Sequence, residues 1–355
     1  MKIGIVTISD YYNHGNRLQN YAIQSLMESA GHEVVTYGMF PRAMLGVLYP
    51  TAMGIFPYIP VFTRMWRFKK FTAKHYDSVR IDFYTKKKLD ALNARHDAFI
   101  VGSDQVWNPA YMFKPYAYFL QFCDPHKRIA YAPSFGVSHI SPRWQKRFAE
   151  ALKDFPHLSV REDAGAKIIY EASGKNCPVH LDPTLLLTRE QWLKFTAKPR
   201  NMPKGKYLLT YFLMPKKEYK REARRLAKAY GLKLVEISQP FGKYYKSNPS
   251  EFLYLMEHAE LICTNSFHGH ALSIALEKPF VSFSSVSHMV SRITTLLSFT
   301  GLENRNYKTI DPQEYFTLDY TAVNEALRAR RAECIDYLMT ALESAKRTDK
   351  DNDCH

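Results

Sequence analysis

With 355 residues, 46% of them apolar and 23% charged, the chain excludes a disordered protein and is too long for one ordinary core, so two domains are expected. A formal net charge of +15, from 49 Lys and Arg against 34 Asp and Glu, favours anionic partners such as phosphorylated metabolites or an acidic membrane surface. The basic residues are scattered and form no RNP-like, zinc-finger or helix-turn-helix pattern, so no nucleic acid is expected as a partner.

Met1-Lys2-Ile3-Gly4 leads straight into an apolar run without the basic-then-apolar pattern of a secretion signal. Five cysteines without a CxxC pair argue against a zinc site or a disulfide framework, so a cytoplasmic protein with plain thiols is expected. Residues 2–9 (KIGIVTIS) read as a buried strand. A helix follows from Gly15, with Leu18, Tyr21, Ala22 and Leu26 at helical spacing and Gly31 as its stop. Residues 33–37 (EVVTY) form the next strand and complete a unit of the kind that builds parallel sheets.

Residues 43–63 contain no charge, and Arg64, Arg67, Lys69 and Lys70 follow them. Pro50, Pro57 and Pro60 argue against a membrane-crossing helix. Two readings stand side by side: an interfacial segment on an anionic bilayer, or an apolar excursion folded onto the domain's own core. Further strands are expected at 98–101, 128–132, 158–160 and 179–181, with a helix start at Ser141-Pro142 and a helix over 163–172.

A polar stretch with two prolines, 198–206 (KPRNMPKGK), reads as a linker. Beyond it come a strand (YLLTYFL), a basic helix over 216–230 stopped by Gly231, and a strand (KLVEIS). Asn248-Pro249 opens a short helix, followed by a strand at 261–263, a helix broken at Lys278-Pro279 and a strand over 280–283. Amphipathic stretches near 289–300 and 321–345 precede a charged end (KRTDKDNDCH) expected to fray. The expected class is α/β: two Rossmann-like domains, 1–197 and 198–310, facing a cleft. Helices and a polar tail over 311–355 can pack back on the first.

Ligands of such sheets lie beyond the carboxyl ends of the strands. The residues there are Gly102-Ser103-Asp104-Gln105, Ala132-Pro133-Ser134-Phe135-Gly136, Arg161-Glu162-Asp163, Asp182-Pro183-Thr184 and Thr264-Asn265-Ser266-Phe267-His268-Gly269. Strand-to-helix turns are commonly polar, so one would prove nothing, but five with reactive or anion-binding groups favour a site. In the last, Asn265 or Ser266 caps a helix whose first-turn N–H groups suit a phosphate or carboxylate, and Gly269 lets a ligand approach the backbone. His268 beside that anion reads as a general acid, against the plainer reading of a core or capping histidine. Ser266 reads as cap and phosphate ligand, since no GxSxG elbow surrounds it, and His270 reads as structural.

VGSDQVWNP (101–109), YAPSFG (131–136), SVREDAG (159–165), LDPTLLL (181–187), TNSFHGHALSIALEKPFV (264–281) and SRITTLLSFTGLENR (291–305), with HGNRLQNYAIQSLMESAGHEV (14–34), together resemble the polysaccharide pyruvyl transferase family. The resemblance runs from about residue 3 to 310 in the same order and spacing. Members resemble two-domain GT-B glycosyltransferases, and those characterised move the enolpyruvyl carbons of phosphoenolpyruvate onto a sugar. The product is a pyruvate ketal in a surface polysaccharide.

The resemblance implies phosphoenolpyruvate as donor substrate, with no cofactor. No metal ligand set is visible in the sequence, so no catalytic metal is expected. Arg161 matches the family's arginine in the SVR motif, and His268 matches its histidine, placed to protonate the enol methylene. Ser266 stands where some members carry arginine, so Arg292 is the candidate for the second donor cation. Asn265, Phe267, Gly269 and Ser134 complete the expected donor site. Asp104 is expected as a base toward the acceptor, against a turn-capping role, with Ser103 and Gln105 as hydroxyl ligands. Asn16, Arg17 and Gln19, at the first βα turn, are expected to line the cleft, Arg17 having a surface charge as its alternative. The acceptor is a glycan, lipid-linked if the protein works at the inner face of the cytoplasmic membrane. Two further readings stand beside this one: a GT-B glycosyltransferase using a nucleotide sugar, and a non-catalytic protein that binds anionic glycans.

Overall fold

A computed structural model describes residues 1–39, 59–112, 114–213, 216–284 and 291–352, with side chains as far as 346. Its first unit runs β1 (Lys2–Ile8), α1 (His14–Ser29), β2 (Glu33–Met39), α2 (Ile59–His75), β3 (Ser78–Arg80), α3 (Lys86–Asn93), β4 (Ala98–Val101), α4 (Pro115–Tyr118), β5 (Arg128–Ala130), α5 (Pro142–Leu152), β6 (His157–Leu158), α6 (Asp163–Ser173) and α7 (Arg189–Lys194). The second runs β7 (Tyr207–Tyr211), α8 (Lys217–Ala229), β8 (Lys233–Glu236), α9 (Pro249–Glu257), β9 (Leu261–Thr264), α10 (Phe267–Ala275) and β10 (Phe280–Ser282). Two helices, α11 (Ser291–Thr300) and α12 (Thr321–Asn352), end the chain.

The strands form two parallel sheets, ordered β3-β2-β1-β4-β5-β6 and β10-β9-β7-β8. This is the two-domain α/β architecture of GT-B proteins. The apolar runs follow from it, because a parallel sheet is covered on both faces. Along β1, Ile3 and Ile5 join one core with Leu18 and Ala22 of α1, while Val6 and Ile8 join the opposite core with Phe99 and Val101 of β4. Start signals act as expected: Asn248 and Glu251 close a capping box at α9, and Pro142 occupies the first turn of α5 behind Ser141.

Three expectations need correction. Residues 179–181 form no strand, only a bridge from Val179 to Val160, because the Asp182 carboxylate accepts Thr184 N at 3.0 Å and turns the chain into a short helical turn. The strand expected at 158–160 is the shorter β6. The polar end does not leave the helix at 346, since α12 continues to Asn352.

Helix α12 returns to the first unit. Leu327, Cys334, Leu338 and Leu342 enter the core that holds β1 and α1. Tyr337 Oη donates to Ala130 O at 3.0 Å, and Arg331 Nε to Leu185 O at 2.5 Å. Of the charge-free stretch 43–63, only residues 59–63 lie within the described residues, where they open α2. Among the described residues no helix is long and apolar enough to cross a membrane.

Candidate active site

Where strand order reverses in a parallel sheet, the loops leaving the two flanking strands part and open a crevice. That point lies between β1 and β4 in the first sheet and between β7 and β9 in the second. The helices that follow β1 and β9, α1 and α10, begin against each other. Any side chain at Gly15 would overlap Cβ, Cγ and Nδ1 of His268, so glycine lets the first turn of α1 close on that ring.

His268 is buried, with Nε2 3.6 Å from Asp182 Oδ2, an ion-pair distance rather than a hydrogen bond. The same oxygen accepts from Arg161 Nη1 at 2.5 Å and from Ser103 Oγ at 3.1 Å, and Thr184 Oγ1 donates to Oδ1 at 2.7 Å. Arg161 Nη2 lies 3.8 Å from Asp104 Oδ1, and its guanidinium sits 4.3 Å from the centre of the Phe267 ring. Asn16 Nδ2 donates to Asp104 Oδ2 at 2.8 Å. Burial raises both carboxyls, but the charges of His268 and Arg161 outweigh it and hold Asp104 and Asp182 below the usual carboxylate range, Asp182 far below. Both are ionised at neutral pH.

Around this cluster, Arg161 Nε and Nη2, Arg292 Nε, Ser266 Oγ and His268 Nε2 are buried with no hydrogen-bond partner among the described residues. An orphaned buried donor costs about 1–3 kcal/mol, so a site that keeps several is built to meet a ligand. All of them can donate, which suits phosphate or carboxylate oxygens. Burial, and after it repulsion from Arg161, lowers the pKa of Arg292, and an anion between the two guanidiniums would relieve that repulsion.

Other expected site residues are engaged elsewhere. Asn265 does not cap α10: its side chain accepts from Leu213 N at 2.7 Å and donates to Leu213 O at 2.9 Å, tying the end of β7. Ser266 occupies the cap position without a side-chain cap bond. Gly269 does not open the backbone to a ligand, because a side chain there would overlap Thr264, so glycine serves the packing of α10 on β9. Ser134 Oγ donates to Glu162 Oε1 at 3.0 Å, an oxygen that also accepts Phe135 N at 2.8 Å and Gly136 N at 3.1 Å. Gln105 Oε1 accepts from Asn108 Nδ2 at 2.9 Å.

At the first turn, Arg17 is no surface charge. It is fully buried, donating through Nη2 to Ser9 Oγ and Asn16 Oδ1, each at 2.8 Å. Gln19 reaches Thr7 Oγ1 at 3.3 Å and also bonds Asn20, facing the sheet rather than the cleft. His270 is fully buried between Ser266 O at 2.7 Å and Ser282 Oγ at 2.8 Å, and burial draws its pKa down to about 4. Among the described residues no group of three His, Cys, Asp or Glu side chains could hold a metal.

A sequence profile described as polysaccharide pyruvyl transferase matches residues 13–288, most of the chain. The chain belongs to the polysaccharide pyruvyl transferase family. No curated protein matches it significantly. Solved structures with a similar fold include an α-glucosyltransferase in complex with UDP and a 13-mer DNA, at 12% identity over 97% of this chain and 99% of that one, with a TM-score of 0.50. A UDP-GlcNAc 2-epimerase from Neisseria meningitidis is 11% identical over 93% of this chain and 99% of its own, with a TM-score of 0.45. At 12% identity the likeness to the glucosyltransferase shows the fold alone.

Within this pyruvyl transferase family member, the residue that sequence reasoning left without a role is Asp182. It joins Arg161 and Ser103, from two separate loops, with His268, from the first turn of α10. Its position directly after 179–181 was the one available signal. Glu162, which shapes the 134–136 loop, is a second such residue.

Proposed function

We propose that this protein transfers the enolpyruvyl group of phosphoenolpyruvate to a sugar and closes it into a pyruvate ketal, within surface polysaccharide synthesis. The observation that carries this reading is the set of orphaned donors on Arg161, Arg292, Ser266 and His268, gathered near the start of α10 in a chain of the polysaccharide pyruvyl transferase family. A phosphate and a carboxylate on one small molecule match that donor set.

His268 protonates the methylene carbon, leaving positive charge on the carbon that bears phosphate, and a sugar hydroxyl adds there. Arg161 and Arg292 hold the phosphate and carboxylate as charge redistributes. Loss of phosphate by C–O cleavage then lets a second hydroxyl of the sugar add to the same carbon. The first hydroxyl's proton, taken by Asp104, leaves with phosphate as hydrogen phosphate, and the second hydroxyl's proton replaces the one that His268 gave to the methyl group. Asp182, ionised and 3.6 Å from His268 Nε2, orients the imidazole. Asp104, ionised and fixed by Asn16, accepts the proton of the incoming hydroxyl.

The acceptor we propose is a glycan carried on a lipid at an anionic membrane face. Ile59 and Trp66 of α2 are 47% and 56% exposed, and Lys69, Lys70 and Lys74 follow on the exposed side of the same helix. Incubation with phosphoenolpyruvate and a panel of free and lipid-linked sugars tests the reading through phosphate release. Acceptor-dependent release is expected. Release of nucleoside diphosphate from a sugar nucleotide, with no phosphate from phosphoenolpyruvate, would replace pyruvyl transfer with glycosyl transfer.

A further inference from the structure

Between α6, α11 and α12 lies a pocket of about 200 Å³ that shares one wall with the donor cluster, since Arg161, Asp182 and Phe267 all line it. Its remaining polar groups, besides His180, come from three other parts of the chain. Asp163 opens α6, Thr295 and Ser298 lie on α11, and Arg330 lies on α12. Asp163 Oδ2 accepts from Thr295 Oγ1 at 2.7 Å, a bond between the two sheet units at the pocket's edge.

Two features separate this pocket from an anion site. First, Asp163 and Asp182 stand opposite Arg161 and Arg330, so the wall carries no net excess of positive charge for a phosphate. Second, its buried histidine is neutral. His180 is 4% exposed, lies near the rings of Tyr131 and Tyr337, and has an Nδ1 with no hydrogen-bond partner among the described residues. Burial draws its pKa to about 4, the charges of Glu333 and Arg330 acting in opposite directions. A neutral imidazole can donate to or accept from a hydroxyl. Phe267 and Phe299 supply flat apolar faces, and Leu185 and Leu296 add aliphatic surface. Apolar faces for ring C–H groups, edged by carboxylate, guanidinium and hydroxyl groups, are the chemistry a sugar ring presents in reverse.

We propose that this pocket binds one neutral hexose ring of the glycan, and that its shared wall of Arg161 and Asp182 brings that ring's hydroxyls to the donor. Only its role as the acceptor subsite rests on the pyruvyl-transfer reading. The binding itself does not.

The test uses the full chain and three probes, the methyl pyranosides of glucose, galactose and mannose, followed by saturation-transfer NMR. At least one probe is expected to bind, and saturating phosphoenolpyruvate is expected not to displace it. Arg330, whose side chain is 45% exposed and held by a surface pair to Glu333, can be changed without disturbing the core. Arg330→Ala should weaken the bound probe about tenfold, the size of a lost charged hydrogen bond, and Ser298→Ala by about threefold. The KM for phosphoenolpyruvate should move less than about twofold in either variant. Absence of binding by all three probes, an unchanged affinity in both variants, or displacement of the probe by phosphoenolpyruvate would overturn the proposal. Probe binding that follows Arg330, in a protein that never releases phosphate, would keep the sugar pocket and remove the pyruvyl reading.

Discussion

Helices α1 and α10 both begin at a strand switch point, both begin with a histidine–glycine pair in their first turn, and they meet at Gly15 and His268. Their polar groups are used in opposite ways. At α1 the cationic and histidine groups are paired, though Gln19 Oε1 is left without a partner among the described residues: Asn16 links Asp104, Arg17 and the 8–10 backbone, Arg17 links Ser9, and His14 Nε2 bonds Ser247 O at 2.9 Å across to the second unit. At α10, Ser266 Oγ and His268 Nε2 have no hydrogen-bond partner among the described residues. On the proposed reading, one helix start is scaffold and the other carries the chemistry. The distinction lies in which polar atoms are left unpaired, and residue type does not disclose it.

The largest expected effect falls on α10. His268→Gln should lower turnover by about 10²–10⁴, the contribution of a positioned general acid, while thermal unfolding stays close to wild type. Activity within a few fold of wild type would place the acid elsewhere. The mirror result is expected at α1. Arg17→Met should cost about 3–5 kcal/mol in urea unfolding, because it strips a buried, fully bonded cation from Ser9 and Asn16. If that variant unfolds like wild type but loses turnover, Arg17 belongs to the chemistry and the contrast between the helices fails.

A pH experiment sharpens the same contrast within α10. The native pKa of His270, about 4, lies below the ordinary histidine value of 6.5, so between these values the unfolded chain binds a proton that the native state does not. Its contribution is complete above pH 6.5 and is lost as pH falls toward 4. Acidification from pH 7 to 5 should remove on the order of 2 kcal/mol through this group, and His270→Gln should flatten the slope by that amount. An unaltered slope would mean that the ring is not held neutral.

Ser266→Ala should have the smallest effect, a loss of about three- to tenfold in kcat/KM for the donor with no loss of stability, since no hydrogen bond among the described residues uses that hydroxyl. A fall in stability instead would show a structural role like that of Asn265.

Much of this was legible in the sequence because its signals are local. The apolar run of β1, the Pro142 and Asn248-Pro249 helix starts and the polar turns after strands each follow from a few adjacent residues. The first turn of α1 misleads because the helix is buried on most of its sides, so Arg17 is taken up by Ser9, Asn16 and Thr72 of α2, and Gln19 reaches Thr7 of β1. Gly269 reads the same whether it admits a ligand or Thr264, and only packing decides. Asp182 gains its role from residues 79, 21 and 86 positions away, a convergence that no window of sequence contains.

The most direct test of the central claim is turnover of phosphoenolpyruvate with a competent glycan in D₂O, followed by NMR of the product. Protonation of the enol methylene by a solvent-exchanged His268 predicts a ketal methyl group carrying one deuterium, formed at the rate of phosphate release and abolished with it in His268→Gln. Phosphate released without deuterium entering that methyl group, or labelling that persists at the wild-type rate in His268→Gln, would contradict the account.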